Sequence, residues 1–218
     1  MTLKLYCEII DGLGLNMSRH WCKLYYEDLL AVYGEPVRHY HTMKHIDHGL
    51  LVMENIGYKC SSKKRAAFMF AWLYHDFIHE NGGLFNEVKS ANYAAKFFSL
   101  YDPKSQMVNM VMDLIKSTTH NHVGCDVHTR LFQDIDLAIL GENKRRFNDY
   151  WVKTAYDYEK THKRYYSGRY HYILKLMRRP RIYTSGYSFF DVYEERARLN
   201  LVSGIDCTVT NLLEDDRY

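Results

Sequence analysis

The sequence predicts an all-α fold: one helical bundle of seven to nine helices, with residues 1–218 forming a single domain. Three observations lead there. Only three prolines interrupt 218 residues, and glycines are scattered rather than clustered, which favours long helices over many short strands. Apolar residues recur at three- and four-residue spacing. These runs are bounded by Ser, Thr, Asn or Asp in front and by Gly behind, as helix ends require.

Taken in order, Ser18 caps RHWCKLYYEDLLAVY, which Gly34 stops with Pro36 just beyond. Thr42 caps MKHIDHGLLVMENIGY, where Ile46, Leu50 and Met53 share a face. Ser61 or Ser62 opens KKRAAFMFAWLYHDFIH, apolar almost all round and so read as a central, buried helix. Asn86 is expected to cap EVKSANYAAKFFSLY, with Glu87 in the first turn where a carboxylate suits the helix dipole. Asp102-Pro103 is expected to open the helix that continues through QMVNMVMDLIKSTTH. VHTRLFQDIDLAIL is a shorter apolar segment ended by Gly141. Residues 143–179 read as helical, basic and tyrosine-rich, and Ser188 as the cap of FFDVYEERARLNLVSGIDC.

Composition narrows the function. A hydrophobic fraction of 47% with 25% charged residues is that of an ordinary globular chain. No apolar run is long enough for a membrane span and the first residues lack a signal-peptide pattern, so the expectation is a cytoplasmic protein with no membrane partner. Five widely spaced cysteines without a CxxC read as free thiols in a reducing compartment. A net charge of +3 is too small to argue for nucleic acid by itself. Oligomeric state is left open.

The chemistry gathers at VRHYHTMKHIDH, residues 37–48, which hold four of the twelve histidines. His41, His45 and His48 would share a face if the helix reaches back that far. In AWLYHDFIHE, His75 and Asp76 follow an apolar run where unpaired polar groups are costly. In FQDIDLAIL, Asp134 and Asp136 interrupt what would otherwise be core, and Asp134 reads equally as a cap or surface carboxylate. His45, His75, Asp76 and Asp136 form a mixed nitrogen and oxygen ligand set suited to a divalent Mn, Fe, Co, Ni, Zn or Mg ion, one or two of them. Such an ion activates water and polarises a phosphoryl oxygen, which points to metal-assisted hydrolysis.

These residues resemble the HD-domain metal-dependent phosphohydrolases, named for a His-Asp pair matched here by His75-Asp76. The branch described as predicted metal-dependent HD superfamily phosphohydrolases is matched further by RHYHTMKHI, NEVKSA at 86–91, STTH ending at His120, DIDLAILG at 134–141, GRYHYIL and ERARLNL at 195–201. These marks cover residues 33–201. The resemblance implies an HD-type helical bundle and a metal-bound hydroxide attacking a phosphate ester, a nucleotide or related small molecule. YHxxxH also resembles the YHNxxH of cyclic-nucleotide phosphodiesterases, which implies that His41 is the general acid and His45 a ligand.

Glu87 and His120 are implied pocket residues in catalytic roles. Arg38, His79, Asn86, Arg169, Arg198 and Asn200 are candidate substrate contacts, each with a structural alternative such as a Glu194–Arg198 helix pair. His79 stands where the branch usually has tyrosine, and it could also serve a second ion. The stretch 144–181, with twelve Lys or Arg against three Asp or Glu and seven tyrosines, reads first as a solvated face. A wall for a phosphorylated small molecule comes second and a single-stranded nucleic-acid path third. Two other functions stay in view: an HD-fold module that binds nucleic acid or nucleotide without catalysis, and a di-iron oxygenase-type protein.

Overall fold

The computed structural model describes residues 1–80, 85–157 and 162–215. All regular structure among them is helical. Ten α-helices follow one another: α1 Leu3–Leu13, α2 Arg19–Tyr33, α3 Met43–Ile56, α4 Ser62–Tyr74, α5 Asn86–Tyr101, α6 Met107–Ser117, α7 Val127–Asp136, α8 Lys144–Asp157, α9 His162–Met177 and α10 Asp191–Asp215, with short 3-10 turns at Leu137–Gly141 and Ser188–Phe190. The count exceeds the expected seven to nine for two reasons. The amphipathic segment from Leu3 also folds as a helix, capped by Thr2, and the basic stretch is two helices.

The caps behave as their chemistry dictates. Ser18, Thr42 and Ser61 each accept a backbone N–H from the first turn of the helix they precede. Asn143 does the same for Arg146 at the start of α8. Three expected starts are different. Asn86 is the first residue of α5 rather than its cap, because its amide instead clasps the backbone of Glu80 in both directions. Asp102 ends α5, and the chain turns through Pro103 before Ser105 meets the N–H of Met107 at the head of α6. Ser188 lies inside a 3-10 turn that leads into α10.

The apolar run of α4 is the middle of the bundle, as its all-round hydrophobicity requires. Phe68, Phe70, Ala71, Trp72, Leu73 and Tyr74 are all buried, and the helix packs against α1, α3, α5 and α6. No helix among the described residues is long and apolar enough to cross a membrane, and no disulfide joins any of the cysteines. A second group of helices, α9 and α10 with the turn at Leu137–Gly141, closes over the same core.

The helix was expected to run through His79, but it stops at Tyr74. The groups freed at its end are all taken. The Trp72 carbonyl accepts His75 Nδ1 at 2.8 Å, the Leu73 carbonyl accepts Tyr33 Oη at 2.9 Å, and the Tyr74 carbonyl accepts Phe77 N–H. The Arg38 guanidinium, stacked on Tyr33, donates to the carbonyls of Asp76 and Phe77 at 2.7 Å each. A buried helix end survives only with such partners. Here they fix His75 and Asp76 outside the helix.

Trp72 needs room to do this. Its indole N–H donates to the Ile46 carbonyl at 2.9 Å, and the ring lies against α3 where Gly49 presents no side chain. A Cβ at Gly49 would stand 2.0 Å from the indole. Gly49→Ala is therefore expected to cost at least ~2 kcal/mol by overpacking, read by urea unfolding, with loss of any divalent-ion binding because Trp72 carries His75.

Candidate metal centre

His45 and His75 come from different elements and meet nitrogen to nitrogen. His45, in the first turn of α3, and His75, just past α4, bring their Nε2 atoms 3.1 Å apart. The Trp72 carbonyl can only accept, so His75 Nδ1 carries the proton and, in the neutral ring, Nε2 presents a lone pair. The indole of Trp72 stacks on the His75 ring at 4.4 Å and sets its plane. His45 Nδ1 lies 3.2 Å from the Tyr40 hydroxyl. Each imidazole thus has its far nitrogen engaged by a second group, as metal-ligating histidines do.

Two carboxylates complete the group. Asp76 Oδ2 is 2.9 Å from His75 Nε2 and 3.5 Å from His45 Nε2. Asp136 Oδ1, at the end of α7, is 3.5 Å and 3.7 Å from the same two atoms. Its other oxygen is 2.7 Å from His120 Nε2. One atom each from His45, His75 and Asp76 falls within 4.8 Å of the others, so this group could hold a metal ion.

The electrostatics favour a cation here. Burial alone would lower the pKa of His75, but the Asp76 and Asp136 carboxylates outweigh it and hold the imidazole up to about 10. Burial would likewise raise both carboxyls, yet the surrounding imidazoles keep Asp76 and Asp136 well below the ordinary carboxylate range. His45 goes the other way, lowered by burial. The donor set therefore fits a divalent ion: two imidazole nitrogens and two ionised carboxylates, mixed and borderline in character.

His120 adds an orphaned atom. Its φ of 52° is the one positive value among non-glycine residues described. Its carbonyl accepts Arg179 at 3.0 Å, and its buried Nδ1 has no hydrogen-bond partner.

A cavity of about 390 Å³ opens over the group. Its lining combines His41, Asp76, Glu87, His120 and Asp136 with Tyr40, Tyr150, Tyr165, Arg169 and Tyr172. Glu87 is raised by burial, with the Asp76 and Asp136 carboxylates adding to the effect. The basic stretch is thus not only a solvated face, since its inner side forms the cavity wall.

Not every expected residue is in this cavity. Arg38 is spent on backbone carbonyls, as described above, and Asn86 on Glu80. Arg198 pairs with Glu194 at 2.9 Å and donates to the carbonyls of Met177, Arg179 and Pro180. Asn200 donates to the carbonyls of Leu140 and Glu142. These four hold the chain together instead of facing the cavity. Asp134 pins the 182–186 turn by accepting the N–H groups of Thr184 and Ser185 at 2.8 Å each, its carboxyl pushed up to about 6 by burial. His48 pairs with Glu142 at 3.0 Å.

His41 precedes α3 rather than lying on it, because the helix starts at Met43. It is placed by a residue that sequence reasoning missed, Asp157, the last residue of α8. That carboxylate accepts the backbone N–H groups of His39, Tyr40 and His41, and His41 Nδ1 at 2.6 Å. No local motif marks Asp157. The only hint is an acidic residue closing a helix in a basic segment, against the dipole. His79 lies against the His41 ring at 4.8 Å and outside the His45–His75 group, because α4 ends before it. His41, His79 and Asp157 also bring ligand atoms within 4.8 Å. With three N–H groups and an imidazole already on Asp157, however, they read as a hydrogen-bonded dyad and not a second cage.

Compared with known protein families, curated proteins and solved structures, the chain matches none of them.

Burial would raise the Asp157 carboxyl, but its hydrogen bond and charge interaction with His41 prevail and bring it from 3.8 to about 2. A depressed carboxyl stabilises the fold fully above its unfolded value, and that contribution is lost as pH falls. Asp157→Asn is expected to be ~2 kcal/mol less stable at neutral pH. The gap should close between pH 3.8 and about 2 in unfolding curves.

Proposed function

We propose that the chain is a metal-dependent phosphohydrolase with an HD-type site. His45, His75, Asp76 and Asp136 would hold a divalent cation, and the substrate would be a phosphate ester of nucleotide type or a related small molecule. One observation carries the reading: the Nε2 atoms of His45 and His75 converge with the Asp76 and Asp136 carboxylates beneath a cavity. The resemblance of the sequence to HD phosphohydrolases supports it.

A bound divalent ion lowers the pKa of its water toward neutrality and polarises a phosphoryl oxygen. This chain's residues supply the rest. The Trp72 carbonyl keeps the His75 lone pair turned inward. His41 delivers a proton to the leaving oxygen from Nε2, its Nδ1 being held by Asp157. Burial would lower its pKa, but Asp76 and Asp157 outweigh it and raise the ring above the ordinary 6.5, which extends its protonated form to higher pH. A general acid needs that state. Glu87 and His120 line the approach, where they can orient water and substrate.

Metal analysis after loading with Mn²⁺, Fe²⁺, Co²⁺, Ni²⁺, Zn²⁺ or Mg²⁺ tests the reading, together with a panel of phosphate monoesters and diesters. The expected result is stoichiometric metal that Asp76→Ala loses, and hydrolysis that the same variant abolishes. No metal uptake under any loading and no hydrolysis would overturn it. His41→Gln should keep the metal and lose about 10²- to 10⁴-fold in kcat. Activity should fall as pH rises through the His41 pKa. Asp157→Asn should move that basic limb to lower pH, because it removes a charge that raises the pKa.

A further inference from the structure

The same cavity is lined by a cation that makes no ion pair among the described residues. Arg169, on α9, donates to the Tyr150 hydroxyl at 2.6 Å, and its guanidinium lies over Trp151 at 4.4 Å and Tyr150 at 5.0 Å. Its buried Nε has no hydrogen-bond partner, and no carboxylate reaches it among the described residues. A guanidinium fixed by stacking at a cavity wall, with no carboxylate against it among the described residues, is pre-organised for a planar or tetrahedral oxyanion. Tyr40, Tyr165 and Tyr172 line the same cavity as Arg169 and Asp136.

We infer that Arg169 anchors a terminal phosphate and that the rings of Tyr40, Tyr165 and Tyr172 take the flat aromatic part of the same small molecule, making a nucleoside monophosphate the class of substrate. This rests on the proposed function and gives it a substrate. Size supports it. A volume of about 390 Å³ is at the small end of ligand pockets. It suits one base, sugar and phosphate, and leaves no room for a strand. The wall matches too: tyrosine faces for the base and a cation for the dianion.

Binding can be read without turnover by titrating the Mn²⁺-loaded chain with the hydrolysis-resistant methylenephosphonate of adenosine. Methylphosphonate and adenosine serve as the two halves. The nucleotide analogue should bind at least about tenfold tighter than either half, from stacking added to anion contact. Arg169→Gln should weaken it about 100-fold while metal content stays the same. Tyr172→Leu should weaken the analogue but not methylphosphonate.

Equal affinity for the analogue and for methylphosphonate, or an Arg169→Gln affinity within threefold of the parent, would overturn the inference. If Arg169→Gln does not fold, the ligand comparison in the unchanged chain decides alone, with Arg169→Lys as the second variant. A chain that loads metal and hydrolyses esters but shows equal affinities fails this inference only. A chain that binds the analogue through Arg169 but never takes up metal fails the proposed function only.

Discussion

The site depends on how one buried helix ends. An α-helix leaves its last carbonyls without intrahelical donors, and burying that end is tolerable only if other groups supply them. α4 is the most buried helix of the bundle, and its end lies in the core. The donors that answer it are His75, Tyr33 and Arg38, each hydrogen-bonded to a carbonyl at or just past the last turn. Satisfying the backbone and aiming His75 are therefore one act. The same bond that caps the Trp72 carbonyl turns the His75 lone pair toward His45, Asp76 and Asp136. Arg38, bonded to Glu35 and the His41 carbonyl as well, ties this end to the loop that carries the general-acid candidate. A small shift of α4 would move both halves of the site together.

Sequence pattern reached the parts of this arrangement that local rules govern. The caps Ser18, Thr42 and Ser61, the all-round apolar character of α4 and the interruption of core by Asp136 are each written in a few neighbouring residues. So was the grouping of His45, His75, Asp76 and Asp136, because polar groups in apolar runs must find partners. What local rules could not supply is the identity of those partners across long separations. Arg38 looked like a phosphate contact because its neighbours suggested a site. Its task is to feed carbonyls some forty residues on. For Arg198 and Asn200 the structural alternative is the one seen, the Glu194–Arg198 pair and bonds to backbone carbonyls. Asp157 left no trace, since its partners are backbone N–H groups more than a hundred residues away, and any sequence there would provide them.

Charge also explains why the centre is a poor place for anything but a cation. His75 and Asp76 follow the end of α4, Asp136 closes α7 and Asp157 closes α8. Each of these acids stands at a helix C-terminus, where the dipole presents partial negative charge and a carboxylate is disfavoured by ~0.3–1 kcal/mol. Stability alone would place lysine or arginine at such ends. Asp157 is compensated by three N–H groups and the His41 ring. Asp76 and Asp136 have no such cradle and lean on imidazoles that burial would prefer neutral. Without an ion, a proton on His75 has to balance them. With one, both imidazoles could be neutral and both acids ionised.

The wall from α8 and α9 is different. It turns tyrosines and Arg169 inward, so the cavity holds clustered carboxylates and a guanidinium with no carboxylate partner among the described residues. A neutral ligand would leave the guanidinium uncompensated, and a cationic one would compete with the ion for the carboxylates. An anion held between a bound ion and the guanidinium, with a flat body against the tyrosines, satisfies both at once. The basic, tyrosine-rich composition of residues 144–181 then has two causes on two faces. Outward, its lysines and arginines meet water. Inward, one arginine is fixed at the cavity wall by stacking on Tyr150 and Trp151.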